Sequence, residues 1–348
     1  MKGLRGLMAT ALVTAGVMVG VILPGVQAAE PYAASHLVRA MPSEARGRPV
    51  EVHYWYPTAE TQPVERFGQG KLFNAVEVIP DAKAAQGSFP VVLLAHGGMR
   101  SAFIHTGWIA SALARRGFIV VVPKPPGGRE LQAADAANEL LLRPADLSLA
   151  LTALNSVEPL SSRVDMTDVN GVGFFLGGTS MLSLAGAWFD PEGYRQSCNT
   201  QGINIDCGWL SSQGVDLTTL PDDFFSQNTS DARLTNLVVI NPELTPVLEP
   251  RSVASIQVPV KLISLSNDAK SPLAPAEQLN SIPAYSTVNI ESASLFSAFS
   301  ECTELGKKVL QAEGEGELCQ EPGGRSRAEI HQQLIDEIVA AISAGPSK

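Results

Sequence analysis

The sequence is poor in basic residues, in cysteine and in histidine. Its 348 residues contain 25 lysines and arginines against 35 aspartates and glutamates, for a net charge of −10. This acidic balance argues against nucleic acid and anionic membrane surfaces as partners. The four cysteines form no C-x-x-C pair, and the five histidines form no cluster beside them. We therefore predict no metal site, and no cofactor is expected.

The first 28 residues have the pattern of a secretory signal peptide. Lys2 and Arg5 precede an apolar stretch at residues 7–23, and small residues lead up to Ala28. Cleavage after Ala28 or after Ala29 fits this pattern equally, and a retained membrane anchor is the alternative. Residues 29–348 are then predicted to be one exported domain, in the periplasm or the medium, with no membrane span after cleavage.

The cysteines are expected to form disulfides, because their number is even in a chain that is predicted to be exported. Three pairings are possible for four cysteines. We favour the pairing between sequence neighbours, Cys198 with Cys207 and Cys302 with Cys319, in which each bridge closes a short loop.

Apolar runs and amphipathic segments alternate along the chain, which predicts an α/β domain with a mostly parallel sheet. The first strand should be half-exposed, and the strands are expected at 50–56, 89–95, 118–122, 237–240, 260–265 and 288–290. Pro144 should stand in the first turn of its helix, and the helices are expected at 108–116, 144–154 and 325–342. Residues 189–232, rich in Gly, Asp, Ser and Asn, are predicted to be an insertion over the C-terminal edge of the sheet.

Residues 169–178, V-N-G-V-G-F-F-L-G-G, have the glycine frame of the G-x-S-x-G turn, which presents a nucleophilic serine between a strand and a helix. Gly173 and Gly177 flank the tip, and the tip is Phe175. A benzyl side chain cannot be deprotonated and cannot attack a carbonyl. The same glycines also imitate a dinucleotide-binding turn, but they lie in mid-chain and no acidic residue follows at the expected distance.

Taken in order, these segments resemble the platelet-activating-factor acetylhydrolase-like and dienelactone-hydrolase-like branch of the α/β-hydrolases. The resemblance implies a single α/β-hydrolase fold with a Ser, Asp, His triad in that chain order. It runs from about residue 50 to 190, and more weakly to the end. The matching segments are V-H-Y-W-Y-P-T (52–58), P-V-V-L-L-A-H-G-G (90–98), A-R-R-G-F-I-V-V-V-P (114–123), L-R-P-A-D-L-S-L-A-L (142–151) and the turn.

The resemblance also implies that all three triad positions are substituted. Phe175 stands at the serine position, Asn241 at the acid position and Leu295 at the histidine position. Only His331 follows the turn, and we expect it at the surface or rim of the closing helix. Asp268 is an alternative acid after a later strand, but it would have no histidine to orient.

The substitutions predict a non-catalytic protein that binds an apolar or acyl-bearing small molecule, or a protein partner. The residues expected to line its pocket are His96, Gly97, Gly98, Phe174, Phe175 and Leu295. In relatives the His96–Gly98 loop shapes the oxyanion hole. The alternative is a carboxylic-ester hydrolase with an unconventional site; Ser101 and His105 lie near the pocket, whereas Ser180 is expected to be an ordinary helix hydroxyl.

Overall fold

The computed structural model describes residues 31–95, 97–127, 130–200, 203–265, 273 and 276–343. The predicted signal peptide, residues 1–28, lies outside these ranges, and so do His96 and Asp268. No helix in the described ranges is long and apolar enough to cross a membrane. The same ranges contain no group of three or more His, Cys, Asp or Glu side chains that could hold a metal ion.

A central sheet runs through the described residues. Its strands are β1 (Ala33–Met41), β2 (Val50–Thr58), β3 (Glu65–Phe67), β4 (Val76–Pro80), β5 (Phe89–Ala95), β6 (Ile119–Pro123), β7 (Val164–Phe174), β8 (Asn236–Ile240), β9 (Val260–Ser264) and β10 (Tyr285–Asn289). Their spatial order is β10-β9-β8-β7-β5-β6-β2-β1-β4-β3. All pairs from β10 to β6 are parallel, whereas β2 is antiparallel to both β6 and β1. The prediction of a mostly parallel sheet is confirmed.

Helices cover both faces of this sheet. They are α1 (Gly107–Arg115), α2 (Glu139–Ala153), α3 (Leu176–Leu184), α4 (Pro191–Arg195), α5 (Cys207–Ser212), α6 (Pro250–Ala254), α7 (Glu304–Ala312) and α8 (Arg327–Ile342). Helices α2 and α3 contribute to the apolar core on one face, and α1 and α8 contribute to the core on the other.

Strand β5 shows why the sequence of the central strands is a continuous apolar run. Val91 and Leu93 join the core under α2 and α3, while Val92 and Leu94 join the core under α1 and α8. All four side chains are fully buried. Since alternate residues of a strand face opposite sides, a strand covered on both faces needs apolar residues at every position.

Two local predictions were wrong. Strand β2 is almost entirely buried rather than half-exposed, because β1 and β6 pair with it on both sides and core residues cover both its faces. Pro144 lies inside α2 rather than in its first turn. A 3₁₀ turn at Ala133–Asn138 leads directly into α2, so the helix begins at Glu139 rather than at Pro144. The helix continues through Pro144 although proline has no N–H to donate.

Both disulfides join the predicted sequence neighbours. Cys198 is bonded to Cys207 and Cys302 to Cys319, with Cα–Cα distances of 5.4 and 5.7 Å. The first bridge lies in the predicted insertion and connects the chain after α4 to the start of α5. The second connects the chain before α7 to the turn after it. The local pairing is therefore confirmed.

Candidate functional site

The turn between β7 and α3, residues 173–178, is the elbow of the candidate site. Phe175 alone separates the strand from the helix, and its backbone has φ 56° and ψ −129°. Few residues other than glycine adopt a positive φ, and such a backbone costs about 1–3 kcal/mol. The Phe175 N–H donates to the Ile240 carbonyl of β8 at 3.0 Å, and the Phe175 carbonyl accepts from the Gly178 N–H at 2.9 Å. The neighbouring strand and the new helix thus hold the strained tip in place.

The glycines of the elbow are explained by close backbone packing. A Cβ atom at Gly173 would lie 2.3 Å from the Gly177 carbonyl oxygen, which is inside any allowed contact. A Cβ atom at Gly178 would lie 3.1 Å from Pro242 Cβ. The glycine frame therefore serves the geometry of the turn, whatever side chain stands at its tip.

The tip of the elbow faces a cleft of about 720 Å³ at the C-terminal edge of the parallel strands. The Phe175 ring is 5% exposed and meets the Phe299 ring edge-on, with centroids 6.0 Å apart. Most of the lining side chains are apolar. They are Leu72, Phe73, Met99, Ala102, Phe175, Ile205, Leu273, Leu295, Phe296, Phe299, Leu310 and Leu318, with the remaining positions taken by Gly98, Arg100, Ser101, His105, Asp206, Glu243 and Glu315.

The structure brings three of the predicted pocket residues, Phe175, Gly98 and Leu295, to this cleft. Phe174 does not line it: its side chain is 1% exposed and packs in the core under α1 and α8. Gly97 packs against both phenylalanines, since a Cβ atom there would lie 3.3 Å from the Phe175 ring and 3.4 Å from the Phe174 ring. His96 lies outside the described residues.

A buried ionic network supports the loop at Gly97 from below. The Arg143 guanidinium donates to the Gly97 carbonyl at 2.7 Å and also contacts Glu139. Arg46 binds Glu139 at 2.7 Å and Asp146 at 2.7 Å. Removal of one member of such a buried ion pair would leave the other charge uncompensated, so the members of the network are held together. Arg143 thereby fixes the loop at Gly97 that borders the elbow.

Asn241 stands one residue beyond β8 but is not part of the cleft wall. Its Oδ1 accepts from the Leu265 N–H at 2.9 Å, and its Nδ2 donates to the Leu273 carbonyl at 3.5 Å. The side chain is 3% exposed. The amide uses both an acceptor and a donor here, and an ionised carboxylate could supply only acceptors.

His105 lines the cleft, but its ring is held as a packing group. Its Nδ1 accepts from the Ser300 N–H at 3.2 Å, and its ring stacks on Phe299 with centroids 4.5 Å apart. Burial lowers the pKa of His105 to about 4. Ser101 also lines the cleft, yet among the described residues no hydrogen bond joins its hydroxyl to His105.

His331 is buried rather than at the surface, so that prediction was wrong. Its ring stacks on Trp108 of α1 with centroids 3.6 Å apart and is 8% exposed. Its Nε2 lies 2.9 Å from the Ser297 carbonyl and 3.0 Å from the Phe299 carbonyl. Both partners are acceptors, so Nε2 carries the proton and donates. Burial lowers the pKa of His331 to about 3, and the histidine positions the cleft wall.

A polar end of the cleft joins Ser101, which was expected near the pocket, to Arg100, Asp206 and Glu243, which were not predicted there. Arg100 Nε donates to Asp206 Oδ1 at 3.0 Å. Burial, and then the negative charge of Asp206, raises the pKa of Glu243 to about 8. The only sequence signal for Glu243 is its place after a buried strand, at the edge where parallel strands end. Asp206 carried no such signal, because it lies in the predicted insertion and follows no predicted strand.

The comparisons with known proteins concern the fold. No protein-family model matches the chain, and no curated protein sequence matches it. One solved structure of similar fold is a ferulic acid esterase from Streptomyces cinnamoneus, at 16% identity and a TM-score of 0.57. The alignment covers 94% of this chain and 92% of the esterase. The predicted fold class, a single α/β-hydrolase fold with a mostly parallel sheet, is thereby confirmed.

Proposed function

We propose that this protein is a non-catalytic member of the α/β-hydrolase fold that binds an apolar or acyl-bearing small molecule in the cleft at the elbow. The observation that carries the proposal is the side chain at the elbow tip. Phe175 presents a ring to the cleft at the position from which a serine would attack, and carbon at this point gives no nucleophile. We assign the chain to the acetylhydrolase-like and dienelactone-hydrolase-like branch on its quoted segments.

The rest of the cleft supports binding. Its volume of about 720 Å³ suits a small organic molecule. Phe175, Phe296 and Phe299 offer aromatic surface, and Leu295 and Leu318 offer aliphatic surface. Burial of ligand apolar area against such a wall contributes roughly 25 cal/mol per Å² before the costs of association.

The proposed setting is the periplasm or the medium. It is supported by the signal-like residues 1–28 and by the two disulfides, since disulfides persist in oxidising compartments. The same proposal includes a protein partner as a second class of ligand. A small molecule should bind to the purified chain in the absence of any other protein, which distinguishes the two classes.

The proposal is tested with a fluorophosphonate probe and with thermal unfolding. The purified protein should not be labelled on any serine. A panel of neutral aryl esters and matched hydrocarbons should include ligands that raise the free energy of unfolding, by about 2.7 kcal/mol at 100-fold excess over Kd. Stoichiometric labelling of a serine would contradict the non-catalytic proposal. If no compound of the panel raises the free energy of unfolding, the proposal of ligand binding is contradicted.

The second candidate function is carboxylic-ester hydrolysis from an unconventional site. It is favoured by the fold shared with a protein described as a ferulic acid esterase and by Ser101 and His105, which both line the cleft. It predicts turnover of methyl ferulate or short aryl esters that S101A and H105A each abolish. S180A is the matched control, because Ser180 Oγ donates to the Leu176 carbonyl inside α3. Turnover that survives S101A would exclude Ser101 as the nucleophile.

A further inference from the structure

Glu243 is a buried carboxyl group that the proposed function does not use. It follows β8 by three residues and lies on the cleft wall, although its side chain is only 4% exposed. Its carboxyl accepts a hydrogen bond from the Leu176 N–H at the start of α3, and within the described ranges it forms none with another side chain. A carboxyl can make more than one hydrogen bond, and buried polar groups are nearly always hydrogen-bonded. The capacity that the Leu176 N–H leaves unused, on a carboxyl at the cleft wall, points to a further partner that enters through the cleft.

The elbow and the loop at Gly98 fix the position of this carboxyl. The Glu243 N–H donates to the Phe175 carbonyl at 3.3 Å, and the Thr179 hydroxyl donates to the Glu243 carbonyl. A Cβ atom at Gly98 would lie 3.0 Å from Glu243 Oε1 and 3.5 Å from Ser101 Oγ. Glycine thus allows the carboxyl to lie against the loop, next to a hydroxyl that also faces the cleft.

The surroundings keep this carboxyl protonated at neutral pH. Burial and the nearby Asp206 favour the neutral form, whereas Arg143, the Leu176 N–H and Arg100 favour the charged form. The first two effects prevail and raise the pKa of Glu243 to about 8. A neutral carboxylic acid is a hydrogen-bond donor. The same end of the cleft suits an anion poorly, because Arg100 is already paired with Asp206.

Building on the proposed binding function, we propose that Glu243 is the specificity-determining residue for the ligand's head group. Its O–H donates to the carbonyl oxygen of an uncharged ester, lactone or amide, while the apolar body of the ligand packs against Phe175 and Leu295. The chemical class of ligand is therefore an apolar molecule with a neutral carbonyl, rather than a hydrocarbon or a carboxylate.

The test uses three probes of similar size: methyl 3-phenylpropanoate, butylbenzene and 3-phenylpropanoate. Calorimetric titration of the purified protein at pH 6 should show the ester binding about tenfold tighter than the hydrocarbon, the effect of one added hydrogen bond, and tighter than the carboxylate. At pH 9.5 the ester should lose most of this advantage, because Glu243 ionises and no longer donates. The hydrocarbon should bind equally at both values.

Two variants and one control make the result specific. E243Q keeps a donor and cannot ionise, so the ester preference should persist at pH 9.5. E243L should remove the preference at pH 6 while butylbenzene still binds. E313Q removes one exposed carboxylate outside the cleft and should leave the affinities for all three probes unchanged at both pH values.

The outcomes separate the two proposals. Binding of the probes without an ester preference, tighter binding of the carboxylate, or an E243Q protein that keeps the pH dependence would overturn the role of Glu243 and leave ligand binding intact. If no probe binds the unaltered protein at either pH, the proposed function fails as well, and with it the head-group assignment.

Discussion

The elbow and residues 293–299, which contribute Leu295, Phe296 and Phe299 to the cleft, are built in different ways. Backbone contacts fix the elbow, since Gly173 leaves no room for a Cβ atom and Phe175 is held by β8. Side chains from distant parts of the chain fix the 293–299 segment. Trp108 Nε1 donates to the Ala298 carbonyl at 3.1 Å, and His331 Nε2 binds two carbonyls of the segment. The shape of the elbow therefore depends mainly on its backbone, whereas the 293–299 segment depends on particular side chains.

The largest effect should come from G173A, which attacks the elbow backbone. The new Cβ atom would meet the Gly177 carbonyl oxygen at 2.3 Å and the Gly178 nitrogen at 2.8 Å, and backbone atoms cannot move aside cheaply. We expect a loss of about 4 kcal/mol in the free energy of unfolding, measured in urea. G208A is the control, because a Cβ atom there meets nothing within 4 Å. A loss below about 1 kcal/mol in G173A would contradict a backbone-locked elbow.

Removal of the Cys302–Cys319 bridge should come next, because it ties the chain after the 293–299 segment. The double variant C302S/C319S should lose about 3 kcal/mol of stability, as expected for a bridge that closes a loop of this length. C198S/C207S, whose bridge spans 9 residues instead of 17, should lose slightly less. The two variants are compared by urea unfolding. A larger loss in C198S/C207S than in C302S/C319S would show that the 293–299 segment does not depend on the Cys302–Cys319 bridge.

H331A should destabilise the protein by about 2 kcal/mol at pH 7, because two buried carbonyls lose their donor and Trp108 loses its stacking partner. The buried ring is neutral in the folded state, with a pKa of about 3, and takes up a proton near pH 6.5 when unfolded. Its contribution is thus complete above pH 6.5 and is lost as the pH falls towards 3.

The measurement is urea unfolding of both proteins at pH 7 and pH 4. The difference in the free energy of unfolding between wild type and H331A should be smaller at pH 4 than at pH 7. H331Q, which can still donate to a carbonyl, should recover part of the loss at pH 7. Because glutamine does not titrate, the difference in the free energy of unfolding between H331Q and H331A should be the same at pH 7 and pH 4. A gap that stays constant between the two pH values would contradict a neutral, buried His331.

The smallest effect concerns activity and comes from F175S, which places a hydroxyl at the elbow tip. No imidazole in the described chain binds this position: His105 is stacked on Phe299, and His331 donates to carbonyls. We expect no turnover of short aryl esters above the background rate. F175A is the control for altered cleft volume. Clear turnover by F175S would show that a base is within reach and would support the hydrolase alternative.

The elbow could be predicted from the sequence because it is local. A buried strand, the glycines at 171, 173, 177 and 178 and the helix that follows directly specify its geometry. The central strands are local in the same sense. The 293–299 wall could not be predicted in the same way. His331 lies beside Ile330 of the apolar stripe and was expected at the rim, yet its burial comes from Trp108, which belongs to α1 at the other end of the chain.

The polar end of the cleft escaped prediction for a related reason. Glu243, Asp206 and Arg100 come from three separate segments of the chain and line the same cleft only in the folded protein. Nothing in the spacing of these residues marks them as neighbours. Their protonation is a property of the assembled cleft, because burial and the Asp206 charge act on Glu243 only there.

The amide of Asn241 restricts which side chain this position tolerates. An aspartate at this position would set a negatively charged oxygen against the Leu273 carbonyl, where Nδ2 now donates. Local electrostatics therefore favour asparagine over an acidic residue at position 241, whatever side chain stands at the elbow tip.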